Sequence, residues 1–161
     1  MSLAEWLETF RQMHERFRRG QLSPRDEAIY RAGRDELARA LLAAQRVTLK
    51  PGELPRQALR VARALQVDLD LITSSARAIT IDLSTGGFSC LLAKAPPHDD
   101  QVKFVLRIPA SAPLAGSCRV TDVKPLTGNV RVAFRFEGLE DADRDRLETF
   151  VFDTVLSQLA G

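Results

Sequence analysis

Residues 77–92 read RAITIDLSTGGFSCLL, and this stretch decides which fold the sequence predicts. The segments 77–83 and 87–92 are short and rich in apolar and β-branched residues, a composition that is typical of β-strands. Aspartate, serine and glycine, which favour turns, are concentrated between them in the sequence DLSTGG at 82–87. The stretch therefore predicts two strands joined by a tight turn.

Four neighbouring segments extend this pattern. Apolar and polar residues alternate over 66–71, 101–108 and 129–136, and 117–124 is a further strand candidate. Because successive side chains of a strand point to opposite faces, the alternation indicates strands with one buried face. No helical pattern interrupts the six segments, so they predict an antiparallel sheet that closes into a small barrel.

Helices are predicted on both sides of the strands. Gly20 breaks a helical pattern over about 3–46, and Ser23-Pro24 is a favourable start for the second helix of a hairpin. The apolar faces of this hairpin consist of Leu3, Trp6, Leu7, Phe10, Met13 and Phe17 in the first helix and Ile29, Gly33, Leu37, Ala40, Leu41 and Ala44 in the second. A last helix is expected from about Asp141, and we expect its apolar residues Leu147, Phe150, Val151, Val155 and Leu159 to brace or plug the barrel.

The predicted fold class is α+β: a six-stranded antiparallel β-barrel with a C-terminal helix, preceded by an N-terminal α-helical hairpin. The predicted domain organisation is a hairpin at 1-46, a linker rich in proline and glycine at 47-55, and the barrel with its helix at 56-161.

Composition narrows the class of protein further. The net charge of +2 is too small, and the basic residues too interspersed with acidic ones, to predict a nucleic-acid-binding stripe. The N-terminal segment contains Glu5 and Glu8 and no long apolar run, so neither a signal peptide nor a membrane span is predicted, and a cytoplasmic location is expected. Cys90 and Cys118 lie in apolar strand segments, where reduced core thiols are favoured over a disulfide.

The sequence RQALR at 56–60 completes a recognisable pair of motifs. Together with DLSTGG further along the chain, it resembles the R-x-x-x-R and [D/N]-x-S-x-x-G signature of PilZ domains, from about Pro55 to the C-terminus. The resemblance implies a six-stranded barrel that binds the bacterial second messenger cyclic di-GMP. By the same resemblance, the ligand-binding residues are Arg56, Arg60, Asp82, Ser84 and Gly87.

These residue types suit such a ligand. A guanidinium donates two parallel hydrogen bonds to guanine O6 and N7 or to phosphate oxygens, as Arg56 and Arg60 would. Asp82 supplies acceptors that match the donors N1–H and N2–H₂ of guanine, and Ser84 can both donate and accept. Gly87 permits either unusual backbone dihedrals or a close main-chain approach that a Cβ would obstruct.

Three positions depart from the family pattern. Ala133 replaces a glycine that is frequent within an R-x-G-x-x-F pattern of the final strand, and a tryptophan frequent in the preceding strand is replaced near Thr121. Pro55 precedes the first motif arginine where many members carry another arginine. The loss of that cation favours one bound ligand molecule over an intercalated pair.

Other functional classes have weaker support. His98 is followed by Asp99 and Asp100, but no second histidine or cysteine lies at metal-ligand spacing, so no metal or other cofactor is predicted. Ser84 lacks the sequence context of a catalytic serine, and Gly86-Gly87 is not followed by the helix of a phosphate-binding loop, so no enzymatic activity is predicted.

The predicted function is a cyclic di-GMP receptor whose ligand orders the hinge between hairpin and barrel and so changes the contacts of the hairpin. Its expected partners are cyclic di-GMP and either another protein or a second copy of the chain bound through the hairpin, without membrane association. The alternative is an interaction module of the same family that no longer binds nucleotide. A small nucleic-acid-binding barrel is a third possibility, which the lack of aromatic residues at outward strand positions disfavours.

Overall fold

The computed structural model describes residues 2–47, 59–71 and 74–160. Within them the chain forms three helices and seven strands: α1 (Leu3–Arg18), α2 (Pro24–Val47), β1 (Arg60–Ala62), β2 (Gln66–Asp70), β3 (Ser75–Ser84), β4 (Gly87–Leu92), β5 (Gln101–Leu106), β6 (Leu114–Pro125), β7 (Val130–Glu137) and α3 (Asp141–Ala160). The predicted hairpin, strands and final helix are all present. None of the helices in the described residues is long and apolar enough to span a membrane.

Each of the two N-terminal helices begins directly after a serine that caps it. Ser2 and Glu5 form a reciprocal capping box at the start of α1, in which the Ser2 hydroxyl accepts from the Glu5 N–H at 3.2 Å. The Ser23 hydroxyl accepts from the Asp26 N–H at 3.1 Å at the start of α2. Gly20, between the helices, has a φ of +67°, a conformation that other residues rarely adopt, and this explains why the helical pattern stops there.

The buried face of the hairpin is more polar than the apolar pattern predicted. Tyr30 and Arg34 of α2 are almost fully buried, whereas Ile29 is 52% exposed. Tyr30 Oη lies 2.6 Å from Nδ1 of the buried His14, and the Arg34 guanidinium lies 5.4 Å from the centre of the Tyr30 ring. Because His14 and Tyr30 share a hydrogen bond and the Arg34 guanidinium packs on the Tyr30 ring, these residues can be buried at positions that hydropathy alone assigns to the surface.

The strands form the predicted closed barrel. Each of the six strands β2 to β7 pairs antiparallel with two others, in the closed order β3-β2-β5-β6-β7-β4-β3. The seventh strand, β1, was not predicted; it pairs antiparallel with the second half of β3, beside the half that pairs with β2. The α+β class and the six-stranded antiparallel barrel are thus confirmed.

The inward residues of the strands make a continuous aromatic and aliphatic core. The Phe88 and Phe134 rings lie 5.1 Å apart between centroids, as do those of Phe104 and Phe136. Cys90 and Cys118 are fully buried free thiols, and burial raises the pKa of each to about 12. Since the thiolate is the reactive form, neither cysteine is exposed or acidic enough for ready alkylation in the folded protein.

The unit from Arg60 to Val155 is compact by itself, and most of α3 belongs to it; the other unit comprises 1–59 and 156–161. Four of the five predicted apolar residues of α3 are buried, whereas Leu159 is exposed. Arg146 of α3 donates to Ser111 Oγ at 3.0 Å and to the Ala112 carbonyl, which fixes the helix to the loop before β6. The predicted boundaries 1-46, 47-55 and 56-161 stay a prediction, because most of the linker lies outside the described residues.

A candidate ligand site on the outer face of the barrel

The outward residues of β1, β3, β4 and β7 form one continuous surface. In the ladder between β3 and β4, Asp82 is opposite Ser89, and in the next ladder Ser89 is opposite Ala133 of β7. Leu83 and Phe88 point into the core, so their neighbours Asp82 and Ser89 project outward. On the other side of β3, the residue opposite Ser84 is Arg60 of β1.

Asp82 is the centre of this surface. Its Oδ1 accepts a hydrogen bond from Ser89 Oγ at 2.8 Å, and its Oδ2 accepts one from Arg131 Nη2 at 2.9 Å. Arg60 Nη1 lies 3.7 Å from the same Oδ2. The Asp82 side chain is only 14% exposed. The result is a largely buried carboxylate that two half-exposed guanidinium groups neutralise.

Ser84 shapes the turn that follows Asp82. Its Oγ accepts hydrogen bonds from the backbone N–H groups of Gly86 and Gly87, at 3.1 and 3.2 Å. A serine hydroxyl that bonds to backbone two and three residues further on holds a turn in place. Ser84 therefore has a structural role here, and the residue is half-exposed opposite Arg60 in the β1–β3 ladder.

Gly87 is required by a close approach of two backbones. A Cβ at this position would lie 1.9 Å from the carbonyl oxygen of Phe134 on the neighbouring strand β7. The sequence left two explanations open for Gly87, a positive φ and a close approach of another backbone. The close approach applies, and the approaching backbone is that of β7 in the barrel wall. Gly87 thus sets the β4–β7 spacing beneath the site.

The structure brings several of the predicted site residues together and shows a shorter turn between β3 and β4 than the sequence predicted. Arg60 and Asp82 are in contact, Ser84 adjoins them in the β-ladder, and Arg56 lies outside the described residues. Asp82 lies in β3, within the predicted strand 77–83; the strand continues one residue further, through Ser84, and only Thr85 and Gly86 separate it from β4. Pairing with β1 on one side and β4 on the other keeps these turn-favouring residues extended.

Sequence reasoning missed two residues of the site, Ser89 and Arg131. Arg131 is the arginine of the R-x-G-x-x-F pattern in which Ala133 was noted, and this was the available signal for it. Ser89 was detectable only as the polar residue that alternates with the buried Phe88 and Cys90. Arg135 lies on the same outward face of β7, opposite Gly87.

Two of the three departures from the family pattern, Thr121 and Ala133, lie next to each other, and the third, Pro55, lies outside the described residues. The register of β6 against β7 shifts between Val120 and Asp122, which leaves Thr121 as an extra residue in β6. Its hydroxyl lies 3.2 Å from the Ala133 carbonyl oxygen and donates to it. The two substitutions therefore lie at the same point of the β6–β7 pair, and Ala133 is also opposite Ser89 of β4 on the outward surface.

A metal site finds no support in the part of the chain that the structure describes. No group of three histidine, cysteine, aspartate or glutamate side chains is placed to bind a metal ion among these residues. His98 Nε2 lies 3.1 Å from the Thr121 carbonyl oxygen instead.

Comparison with known proteins identifies the family. The model of the PilZ domain matches residues 55–153, more than half of the chain. The chain belongs to the PilZ domain family. No curated protein matches the chain significantly in sequence.

Solved structures share the barrel at low sequence identity. The inhibitor of motility MotI/DgrA of Bacillus subtilis matches with a TM-score of 0.58 and 16% identity over 68% of this chain and 57% of its own. The PilZ domain of YcgR from Escherichia coli, solved with c-di-GMP, matches with a TM-score of 0.55 and 16% identity over 65% of this chain and 95% of its own.

The complex of K. pneumonia MrkH with c-di-GMP matches with a TM-score of 0.57 and 18% identity over 67% of this chain and 56% of its own. The chain thus spans little more than half the length of MotI/DgrA and of MrkH. At these identities the similarity shows a common fold.

Proposed function

We propose that the chain is a cyclic di-GMP receptor and not an enzyme, with Arg56, Arg60, Asp82, Ser84 and Gly87 at the ligand site. The observation that carries this proposal is the outward Asp82 carboxylate between the guanidinium groups of Arg60 and Arg131. Membership of the PilZ family supports it, as do structural neighbours that were solved with c-di-GMP.

The chemistry of the site suits a guanine-containing dianion. A carboxylate has about four lone-pair positions, and Ser89 and Arg131 each donate to one oxygen of Asp82. Further acceptor capacity therefore remains for guanine N1–H and N2–H₂. The guanidinium groups supply positive charge for phosphate, and they also offer donors to O6 and N7 and a flat face for stacking on a base.

We propose further that the ligand couples the site to the N-terminal hairpin. Arg60 begins β1, directly after the segment that connects the helices to the barrel. A ligand held by Arg56 and Arg60 would order this segment and reorient the hairpin, which would change the hairpin's contacts with another protein or with a second copy of the chain. This effect can be no larger than the difference in ligand affinity between the two arrangements.

We expect the Arg60→Ala variant to bind cyclic di-GMP about 10- to 100-fold more weakly than the parent, because a hydrogen bond to a charged group contributes about 1.5–3 kcal/mol. Isothermal titration calorimetry measures this difference, with GTP and cyclic di-AMP as ligand controls. Arg77→Ala is the matched control variant, because Arg77 also lies on the outer face but pairs with Asp68 at 3.2 Å. Equal affinities of Arg60→Ala and Arg77→Ala would contradict the assignment of Arg60.

The coupling to the hairpin has its own readout. Spin labels at Arg16→Cys on α1 and Lys103→Cys on β5, both exposed positions, allow the distance between hairpin and barrel to be measured by pulsed electron resonance. The native cysteines are buried and do not compete for the label. We expect cyclic di-GMP to change or narrow the distance distribution; binding without such a change would leave the receptor function intact and contradict the coupling.

One observation favours a second function, an interaction module without nucleotide. Asp82 and Ser84 already have intramolecular partners that give them structural roles. A module of this kind produces no heat with cyclic di-GMP and forms a defined oligomer in light scattering. The calorimetric titration of the parent chain separates the two functions.

A further inference from the structure

The ion pair with Asp82 uses only part of the Arg131 guanidinium. Its Nη2 donates to Asp82 Oδ2 at 2.9 Å and lies 3.4 Å from Ser89 Oγ. Neither Nε nor Nη1 makes a hydrogen bond to any residue that the structure describes, and the side chain is 40% exposed. A guanidinium carries five N–H donors. Arg131 therefore holds Asp82 with one edge and presents unused donors on the outer face of the barrel.

Asp82 is held in an equally definite orientation. Ser89, which is only 3% exposed, donates to Oδ1, while Arg131 donates to Oδ2 from the neighbouring strand. A carboxylate held from both sides loses little further freedom when it accepts another hydrogen bond. The surface thus presents a fixed acceptor, Asp82, beside a fixed donor, Arg131.

Guanine carries the complementary pair of groups on adjacent atoms. Its O6 accepts, while N1–H and N2–H₂ donate. Adenine reverses this order, since it has an amino donor in place of O6 and an acceptor at N1. On the surface formed by Asp82 and Arg131, adenine would place donor against donor and acceptor against acceptor.

We propose that Arg131 and Asp82 read one guanine base together: Arg131 donates to O6, and Asp82 accepts from N1–H and N2–H₂. This inference rests on the proposed cyclic di-GMP binding. It makes Arg131, which lies outside both sequence motifs, the residue that distinguishes guanine from adenine at this site.

A positioning role for Arg131 predicts different behaviour. If Arg131 acted only by orienting Asp82, its removal would weaken the contacts of Asp82 with N1–H and N2–H₂ and leave the recognition of O6 unchanged. If Arg131 reads O6, its removal abolishes that recognition and leaves the contact with N2–H₂ in place. Base analogues separate the two roles because each alters one group of guanine.

The experiment is a calorimetric comparison of three ligands. In cyclic di-6-thio-GMP, the strong acceptor O6 is replaced by a weak one, while N1–H and N2–H₂ are kept. In cyclic di-IMP, N2–H₂ is removed, while O6 and N1–H are kept. For the parent chain we expect each analogue to bind about 10- to 100-fold more weakly than cyclic di-GMP.

For Arg131→Ala we expect cyclic di-6-thio-GMP to bind less than threefold more weakly than cyclic di-GMP. The weaker binding of cyclic di-IMP should persist in this variant. Arg131→Met, which keeps the aliphatic stem, replaces the alanine variant if that variant does not fold. Arg135→Ala is the matched control, because it removes the same charge from the same face of β7 without a contact to Asp82, and it should retain both losses.

This inference would be overturned if, in Arg131→Ala, the thio substitution still weakened binding as in the parent while the removal of N2–H₂ in cyclic di-IMP cost less affinity than in the parent. Arg131 would then have a positioning role. Binding of cyclic di-GMP by the parent would then still support the proposed receptor function. If the parent binds none of the three ligands, the receptor function fails, and the reading of guanine by Arg131 fails with it.

Discussion

The Asp82→Asn variant is expected to bind cyclic di-GMP at least about 100-fold more weakly than the parent. Asparagine has nearly the same shape as aspartate, but it lacks the negative charge and presents an amide N–H₂ group where the ligand presents N1–H and N2–H₂. Two hydrogen bonds to a charged acceptor are weakened at once, and each contributes about 1.5–3 kcal/mol. Isothermal titration calorimetry measures the change directly.

A matched control is available on the neighbouring strand β2. Asp68 of β2 lies on the outer face between Arg107 and Arg77, at 2.9 and 3.2 Å. Hydrogen bonds from these arginines, chiefly Arg107, lower the pKa of Asp68, so that its carboxylate is ionised at neutral pH. Asp68→Asn therefore removes the same charge from the same kind of environment and should bind like the parent. A loss of affinity in Asp68→Asn equal to that in Asp82→Asn would place the ligand elsewhere.

Gly87→Ala is expected to lower the free energy of unfolding by about 3 kcal/mol, the upper part of the usual range for inserting atoms into packed structure. The added Cβ would lie 1.9 Å from the Phe134 carbonyl oxygen, a backbone atom that cannot turn aside as a side chain can. The β4–β7 ladder would have to separate where Phe88 pairs with Phe134 in the barrel wall. Urea denaturation gives the change in free energy.

Gly116→Ala is the control for this substitution. Gly116 also lies in a barrel strand, but a Cβ there would be 3.4 Å from the nearest atom, the Phe104 side-chain atom Cε1. This separation requires little adjustment, so Gly116→Ala should remain within about 1 kcal/mol of the parent. Equal stability of the two alanine variants would contradict the close approach described for Gly87.

Alternation of side chains made the barrel predictable from the sequence. In β5 the buried Val102, Phe104 and Leu106 are separated by more exposed residues, and this period of two is a local property. The helical hairpin could also be predicted from the sequence, because Gly20 and Ser23 act on their immediate neighbours in the chain. The buried face of α2 was not, because the burial of Tyr30 depends on a partner, His14, in the other helix.

The site was predictable in part. The motifs located Asp82 and Arg60, but they could not show that the two side chains are in contact, since this depends on the pairing of β1 with β3. With only three residues, β1 is too short to produce a periodic pattern. Arg131 was not predicted as a site residue, because its contact with Asp82 follows from the strand order β3-β4-β7. The alternation of apolar and polar residues does not specify this order.

The position of the ligand is the central claim, and backbone amide chemical shifts during a titration with cyclic di-GMP test it most directly. We expect the largest changes at Arg60, Asp82, Ser84, Ser89 and Arg131, on the outer face of β1, β3, β4 and β7. Small or no changes are expected around Asp68 on β2 and around Arg107, which follows the last residue of β5. Shifts concentrated at that second location, or a spectrum that the ligand leaves unchanged, would contradict the account.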